Sequence, residues 1–300
     1  MPPLLRALRI RQWTKNLVVF AGLAFSGQAT ETGTIVKALL AFAAFCAASS
    51  AVYLLNDLLD RDRDRAHPEK RHRPIASGAV SVRTAQALAL LLAGGALAVG
   101  TGLGRAGWAL GAYLLLQLAY SLKLKHVVLL DVFCIAAGFS LRVLAGVWAV
   151  DAWLSPWLVA CTVQLALFLA LCKRRAEAAT LAPETQASSS AQRPVLEDYR
   201  GPATDMMVGV MASTLLVTYT LYTLLPASVL APAVHAQISR AGAPGMIWTL
   251  PCALYGVLRY LFLVYRQDKG QRPELIATMD PGIVAAGVLY VVIAGVVIYG

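Results

Sequence analysis

Nine consecutive residues of the 300-residue chain, Asn56-Asp57-Leu58-Leu59-Asp60-Arg61-Asp62-Arg63-Asp64, carry four carboxylates. On a helix turning about 100° per residue, Asp57, Asp60 and Asp64 at i, i+3 and i+7 share one face, with Asn56 beside them. Like charges so spaced repel by roughly a few tenths of a kcal/mol per pair, and a divalent cation would answer that repulsion. Mg²⁺ takes oxygen ligands, usually one or two carboxylates together with substrate phosphates. The stretch therefore reads as the metal half of a magnesium-diphosphate site, with Asn56, Asp57, Asp60 and Asp64 as ligand candidates. The run His67-Pro68-Glu69-Lys70-Arg71-His72-Arg73-Pro74 follows directly. Its prolines stop the helix and let the chain fold back, so that Lys70, Arg71 and Arg73 can meet phosphate oxygens. Membrane topology alone also accounts for basic residues in such a loop, but not for four aspartates, because acidic residues contribute little to topology.

The elements that must position this stretch are apolar. Hydrophobic residues make up 58% of the chain and charged residues 14%, with a mean hydropathy of +0.65. That composition describes an all-α polytopic membrane protein rather than two soluble domains. Apolar stretches near 14–28, 34–59, 84–102, 107–122, 128–149, 154–172, 206–225, 245–265 and 281–299 predict a bundle of about nine transmembrane helices in one domain over 1–300. The net charge of +10 does not indicate nucleic acid, since the basic residues are strung between apolar segments instead of grouped on a soluble module. Cys46, Cys134, Cys161, Cys172 and Cys252 sit in apolar runs as small packing residues. His67, His72, His126 and His235 offer no metal-ligand pair at helical spacing. Arg6, Arg9, Arg11 and Lys15 ahead of the apolar Asn16 to Gly27 resemble the charged and apolar regions of a signal peptide. With so many apolar segments following, a retained first helix is expected.

With the amino terminus inside, most of the 26 lysines and arginines fall in the tail and in loops near 60–83, 123–127, 173–205 and 266–280. The positive-inside rule then makes these the cytoplasmic side of a plasma membrane, where carboxylates and basic loops can converge on a polyanionic cytosolic substrate. The low-complexity stretch around Glu184 to Ser190 reads as a connector or as a loop able to close over a site. Arg142 lies about midway along the fifth span, where a charge costs about 2.5–3.5 kcal/mol, so it is expected to face a polar cavity. Arg259, near the end of its span, can snorkel instead. Asp131 is expected to pair with Lys123, Lys125 or Arg142, because a buried carboxylate needs a partner.

The pattern Asn56-Asp57-x-x-Asp60-x-x-x-Asp64 followed by Lys70-Arg71-x-Arg73-Pro74-x-x-Ser77-Gly78 resembles the first Asp-rich signature of the UbiA superfamily of intramembrane prenyltransferases. The likeness runs through Tyr120-Ser121-x-x-Leu124-Lys125, Asp131 and Leu141-Arg142-x-x-x-Gly146, and begins at Arg11-x-Trp13-x-Lys15-Asn16. It implies a nine-helix bundle. Aromatic and quinone prenyltransferases of the superfamily carry a second Asp-rich motif after the sixth helix; here stands Lys173-Arg174-Arg175-Ala176-Glu177. That element is similar to the Lys-Arg-x-x-Glu of the decaprenyl-phosphate phosphoribosyltransferase branch. Glu197 and Tyr199, Leu258-Arg259-Tyr260, and Pro273-Glu274 with Asp280 resemble the same branch, whereas Leu275 replaces an acidic residue.

The resemblance implies Mg²⁺-dependent transfer of 5-phosphoribose from phosphoribosyl pyrophosphate to a polyprenyl phosphate at the cytoplasmic face of a bacterial-type inner membrane. Asp57, Asp60 and Asp64 would be the catalytic carboxylates. Lys123, Lys125 and Arg142 are candidates for the lipid phosphate, and Lys173 and Arg174 for the ribose 5-phosphate, which carboxylates would repel. Lys15, Asn16, Tyr120, Glu177 and Arg259 complete the set of substrate-binding candidates, and the sequence is compatible with homo-oligomers. Two alternatives stay open: a prenyltransferase joining a prenyl diphosphate to an aromatic or quinone-like acceptor, and a transporter of lipid or solute for which Arg142 is a pathway charge.

Overall fold

A computed structural model describes residues 2–68, 70–179, 194–225, 245–267, 276 and 279–300. Glu69, the stretch from Glu184 to Ser190, His235 and Pro273 to Leu275, all invoked above, lie outside the described residues. The described elements are all helical: α1 Pro3–Ala7, a 3₁₀ segment Ile10–Phe20, α2 Ala21–Phe25, α3 Thr32–Leu59, α4 Arg61–Ala66, α5 Val82–Gly102, α6 Arg105–Leu122, α7 Leu130–Ala149, α8 Pro156–Ala179, α9 Pro202–Leu224, α10 Leu250–Gln267 and α11 Pro281–Tyr299. Among the described residues seven segments are long and apolar enough to cross a membrane: α3, α5, α7, α8, α9, Met246–Arg266 and α11. The protein is a multi-pass membrane protein.

Two expected spans are not among the seven. The stretch 14–28 is a 3₁₀ segment running into the five-residue α2. The stretch 107–122 lies in the single helix α6, 18 residues long, which carries Arg105 and Gln117.

The chain forms two compact units, the first comprising the described residues of Met1–Ala24, Gln28–Leu122 and Leu141–Leu154. At 28 residues, α3 is about 42 Å long at 1.5 Å per residue, more than the hydrocarbon core requires. Its buried residues Ala38, Ala41, Ala44, Ala48 and Ala51 recur at helical spacing. In lipid such small side chains let backbones approach, and dispersion contacts rather than water exclusion hold them. Leu90 and Leu91 of α5 turn outward, 75% and 71% exposed, as a lipid-facing surface requires. Near the acidic end of α3, Leu54 packs with Ala7, Ile75, Val80 and Ala85 in a small apolar cluster. Because Leu54 and Ile75 are both buried there, Asp57, three residues after Leu54, and Arg73, two residues before Ile75, are brought together.

The second unit comprises the described residues of Phe25–Gly27, Lys123–Ser140 and Ser155–Gly300. Its core gathers Phe168, Leu171, Tyr199, Val208, Tyr260 and Val264, with the Phe168 and Tyr260 rings edge to face at 5.5 Å. Toward the other end of α9, Tyr219 bonds both Thr249 and Tyr290, so the polar groups of three segments satisfy one another inside an apolar bundle.

Gly146 of α7 packs against the 3₁₀ segment so closely that a Cβ there would overlap the carbonyl of Val19. Gly111 of α6 faces open space. Gly146→Leu should lower the apparent unfolding temperature in detergent markedly, at a cost above the about 1–3 kcal/mol typical of overpacking, while Gly111→Ala should leave it unchanged or raised. An unaltered melting curve for Gly146→Leu would contradict this packing.

Candidate active site

The expected single acidic face is not what forms. Helix α3 ends at Leu59, and Asp60, at φ −91° and ψ 3°, joins it to α4. The Asp64 N–H still bonds the Asp60 carbonyl at 2.8 Å, so the chain bends rather than breaks. Four carboxylates in succession repel along a straight helix, and the bend brings Asp57 and Asp64 to shared cations.

Those cations are arginines. Arg73 Nη1 donates to Asp64 Oδ2 at 2.7 Å and to Asp57 Oδ1 at 3.2 Å, and Arg9 Nη2 donates to the same Asp57 oxygen at 2.5 Å. Both aspartates are almost wholly buried, with side chains 3% and 4% exposed, whereas Arg73 is about one-third exposed. Arg9 also stacks its guanidinium over the Tyr53 ring at 4.8 Å. Its backbone lies in the left-handed region at φ 52°, uncommon outside glycine. The loop carrying Arg73 is fastened by its own bonds: Ser77 N–H to the Arg73 carbonyl, Val80 N–H to the Pro74 carbonyl, and Arg65 Nε to the Ala76 carbonyl. Gly78 at φ 80° supplies the turn.

Among the described residues no three His, Cys, Asp or Glu side chains gather into a metal-holding group. Two buried carboxylates already bridged by a cation nevertheless suit Mg²⁺, which needs few protein carboxylates when phosphates complete its shell. Asn56 and Asp60 are half-buried beside them. Lys70 is half-buried, and Arg71 is exposed with its Nε on His72.

Two predicted ligand contacts resolve into internal bonds. Asn16 is fully buried; its Oδ1 accepts from Arg142 Nε at 2.7 Å, and its Nδ2 donates to Ser49 Oγ and Cys46 Sγ. Arg142 also donates to the Tyr113 hydroxyl at 2.9 Å and stacks over that ring at 4.6 Å. The polar surroundings expected of an intramembrane arginine are thus supplied by neutral side chains, among others. Lys15 is half-buried near this network.

In the second unit, Asp131 pairs with none of the three cations expected for it. Arg174 Nε donates to Asp131 Oδ2 at 2.6 Å, and Arg174 Nη1 to Glu177 Oε2 at 2.7 Å. Arg174 is 7% exposed, so the guanidinium expected to meet a phosphate is instead spent on internal carboxylates. The Tyr199 hydroxyl donates to Asp131 Oδ1 at 2.5 Å and accepts the Leu129 N–H at 2.9 Å. Burial first, and then its bond to Asp131, push the Tyr199 hydroxyl up, which keeps it protonated and donating. Lys173, one-third exposed, lies 3.9 Å from Glu177, and Lys123 is exposed. Arg259 holds Asp280 through two bonds, at 3.0 and 3.3 Å, and Asp280 caps α11 through the Ile283 N–H. The Arg259 hydrogen bond pulls the Asp280 carboxyl below its ordinary value. The sequence marks Arg9 only as a topology and signal-peptide-like charge, marks Tyr199 only through its resemblance to the branch, and offers no signal for Tyr113; for Arg9 the nearest signal is the basic cluster just ahead of Trp13.

Residues 17–279 match the UbiA prenyltransferase family. The chain is 39% identical over 224 residues to a decaprenyl-phosphate phosphoribosyltransferase of Mycolicibacterium smegmatis, covering 73% of this chain and 69% of that one. It is 35% identical over 229 residues to the protein of that name from Mycobacterium tuberculosis, covering 72% of each. A UbiA homolog from Archaeoglobus fulgidus, solved with DMAPP and Mg²⁺, superposes with a TM-score of 0.71 over 98% of both chains at 18% identity.

Removing Arg73 leaves two buried carboxylates short of a cation, a loss of about 3–5 kcal/mol for a fully buried pair and less here, where Arg73 is partly exposed. Arg73→Ala should therefore melt earlier in EDTA than the unmodified protein, and millimolar Mg²⁺ should raise its melting temperature more than it raises that of the unmodified protein. Equal Mg²⁺ responses would show that the cation does not bind between Asp57 and Asp64.

Proposed function

The chain belongs to the UbiA prenyltransferase family, a family of membrane transferases, and from that premise we propose that it transfers 5-phosphoribose from phosphoribosyl pyrophosphate to a polyprenyl phosphate, releasing pyrophosphate. The observation that carries the reading is the replacement of a second acidic motif by Lys173-Arg174-Arg175-Ala176-Glu177, in a chain similar along 73% of its length to a decaprenyl-phosphate phosphoribosyltransferase. A prenyl diphosphate calls for a second carboxylate cluster to hold its metal, whereas a phosphosugar donor adds an anion that carboxylates repel.

Asp57 and Asp64, with Asp60 and Asn56, would hold Mg²⁺, which when bound supplies neutralisation of charge on the departing pyrophosphate. Arg73 and Arg9 hold the two buried carboxylates in place before substrate arrives. On binding, Arg73, Arg71 and Lys70 bind diphosphate oxygens and orient the leaving group. The bond from the anomeric carbon to the pyrophosphate oxygen breaks as an oxygen of the lipid phosphate bonds to that carbon from the opposite side. The nucleophile is already an anion, so no strong general base is needed. Lys123 and Lys125 hold the lipid phosphate, and Lys173 contributes charge for the ribose 5-phosphate. The buried Arg142 and Arg174 act at one remove, by fixing Asn16 and Asp131. Positive-inside bias supports a cytoplasmic face for this chemistry, in a bacterial-type inner membrane.

Purified protein in mixed micelles should pass label from phosphoribosyl pyrophosphate to decaprenyl phosphate only with Mg²⁺. Asp57→Ala with Asp60→Ala should lower kcat/KM by at least about a thousandfold, the loss of charge stabilisation at the leaving group. Label transfer from a prenyl diphosphate to an aromatic acceptor, and none from phosphoribosyl pyrophosphate, would replace this reading with the prenyltransferase one.

A further inference from the structure

Leu129 sits at φ 66°, a left-handed conformation that L side chains avoid, directly before α7 and just after the 3₁₀ turn Leu124–His126. Nothing about leucine favours it. What accompanies it is a bond: the Leu129 N–H donates to the Tyr199 hydroxyl at 2.9 Å. The same hydroxyl donates to Asp131 Oδ1, two residues on, and Asp131 is held from its other oxygen by Arg174, which Glu177 holds in turn. Tyr199 is 1% exposed, as is Asp131, so neither bond competes with solvent. The residue directly before α7 is thus held by Tyr199 of the 3₁₀ segment Pro194–Tyr199, and Tyr199 is braced through Asp131 by Arg174 of α8.

The geometry points to Tyr199 as a positioning residue: its hydroxyl, braced by Asp131 and Arg174, holds Leu129 in the left-handed turn that aims the basic Lys123–His126 segment at an anionic phosphate. The chain direction between Lys125 and α7 is set by that backbone conformation together with the Asp131 N–H on the Val127 carbonyl at 3.1 Å. Val127 is extended at φ −112°, and the α7 ladder is already in place where the Phe133 N–H bonds the Leu129 carbonyl. Relaxing Leu129 therefore swings the segment ahead of it and leaves the helix behind it intact. Tyr199 touches no substrate in this scheme. It acts through Leu129, so its loss weakens phosphate capture and spares turnover. The assignment of the phosphate to a polyprenyl phosphate rests on the function proposed above; the turn itself does not.

Two readouts test it on the full-length protein. Hydrogen exchange should show the 127–131 amides at least about tenfold faster in Tyr199→Phe, which keeps the ring and removes only the hydroxyl, with the rest of α7 unchanged. In the transfer assay Tyr199→Phe should raise KM for decaprenyl phosphate about five- to tenfold, with KM for phosphoribosyl pyrophosphate and kcat within about threefold. Adding Leu129→Gly, which accepts the left-handed turn without strain, should return KM to within about threefold of the unmodified enzyme. Should Tyr199→Phe not fold, the double variant is measured alone, and folding with near-normal KM supports the inference. Unchanged exchange at 127–131, a KM that does not move, or a double variant no better than the single one overturns it. Failure of the proposed reaction shows instead in the unmodified protein, as absence of label transfer, and the exchange measurement then still decides the clamp.

Discussion

An aspartate buried at the end of a membrane span must find a cation, and the described part of this protein depends on how that demand is met. Lipid offers no solvation, and an unpaired carboxylate there costs several kcal/mol. Asp57 and Asp64 take Arg9 and Arg73, Asp131 takes Arg174, and Asp280 takes Arg259. Each of these cations is arginine. A planar fork with five donors can serve two carboxylates at fixed angles, as Arg73 and Arg174 do, where an ammonium would act as a point charge. Pairs separated by 48 and 43 residues thereby fasten the amino-terminal segment to α3 and the end of α8 to the start of α7.

The same demand prepares a site for a substrate of opposite charge. Under the proposed reaction, Asp57 and Asp64 would hold a divalent ion that neutralises phosphate charge, and Arg73, which now bridges them, would be able to turn to phosphate oxygens. Arg73, one-third exposed, is placed for that exchange, while Arg174 at 7% exposure is not. Exposure, more than residue type, separates arginines that can change partners from those that hold the fold.

The helical architecture and the acidic stretch were legible because both are local: apolar runs of fixed length, and carboxylates at helical spacing. The expected span 14–28 is not among the seven candidate spans of the described residues, because the described chain there is a 3₁₀ segment, Ile10–Phe20, that carries Arg11, Gln12, Lys15 and Asn16 and runs into the five-residue α2. Partner choice was illegible for a different reason. Asp131 has Lys123 and Lys125 close by in sequence, yet its partner Arg174 is 43 residues away. Arg142 bonds Asn16 across 126 residues. Which cation reaches which anion follows from the packing of several helices, and no spacing rule encodes it. The family's Lys-Arg-x-x-Glu element likewise looked like a phosphate site, whereas in three dimensions its arginine is an internal brace.

Backbone strain traces the same network. The non-glycine residues with positive φ among those described are Arg9, Leu129 and Asp151. Arg9 binds Asp57, Leu129 is held by the hydroxyl that binds Asp131, and Asp151 meets Lys37 at 2.8 Å. Each left-handed residue costs about 1–2 kcal/mol. A hydrogen bond to a charged group returns about 1.5–3 kcal/mol when buried, enough to hold Arg9 and, through Tyr199, Leu129. The exposed pair at Asp151 returns less, with the chain reversal after α7 supported also by the Ala152 N–H on the Val147 carbonyl. Strain and ion pairing are therefore one device here. A polar contact selects a backbone conformation that the side chain alone would refuse, and the charged group it fixes is delivered to a place that a relaxed chain would not reach.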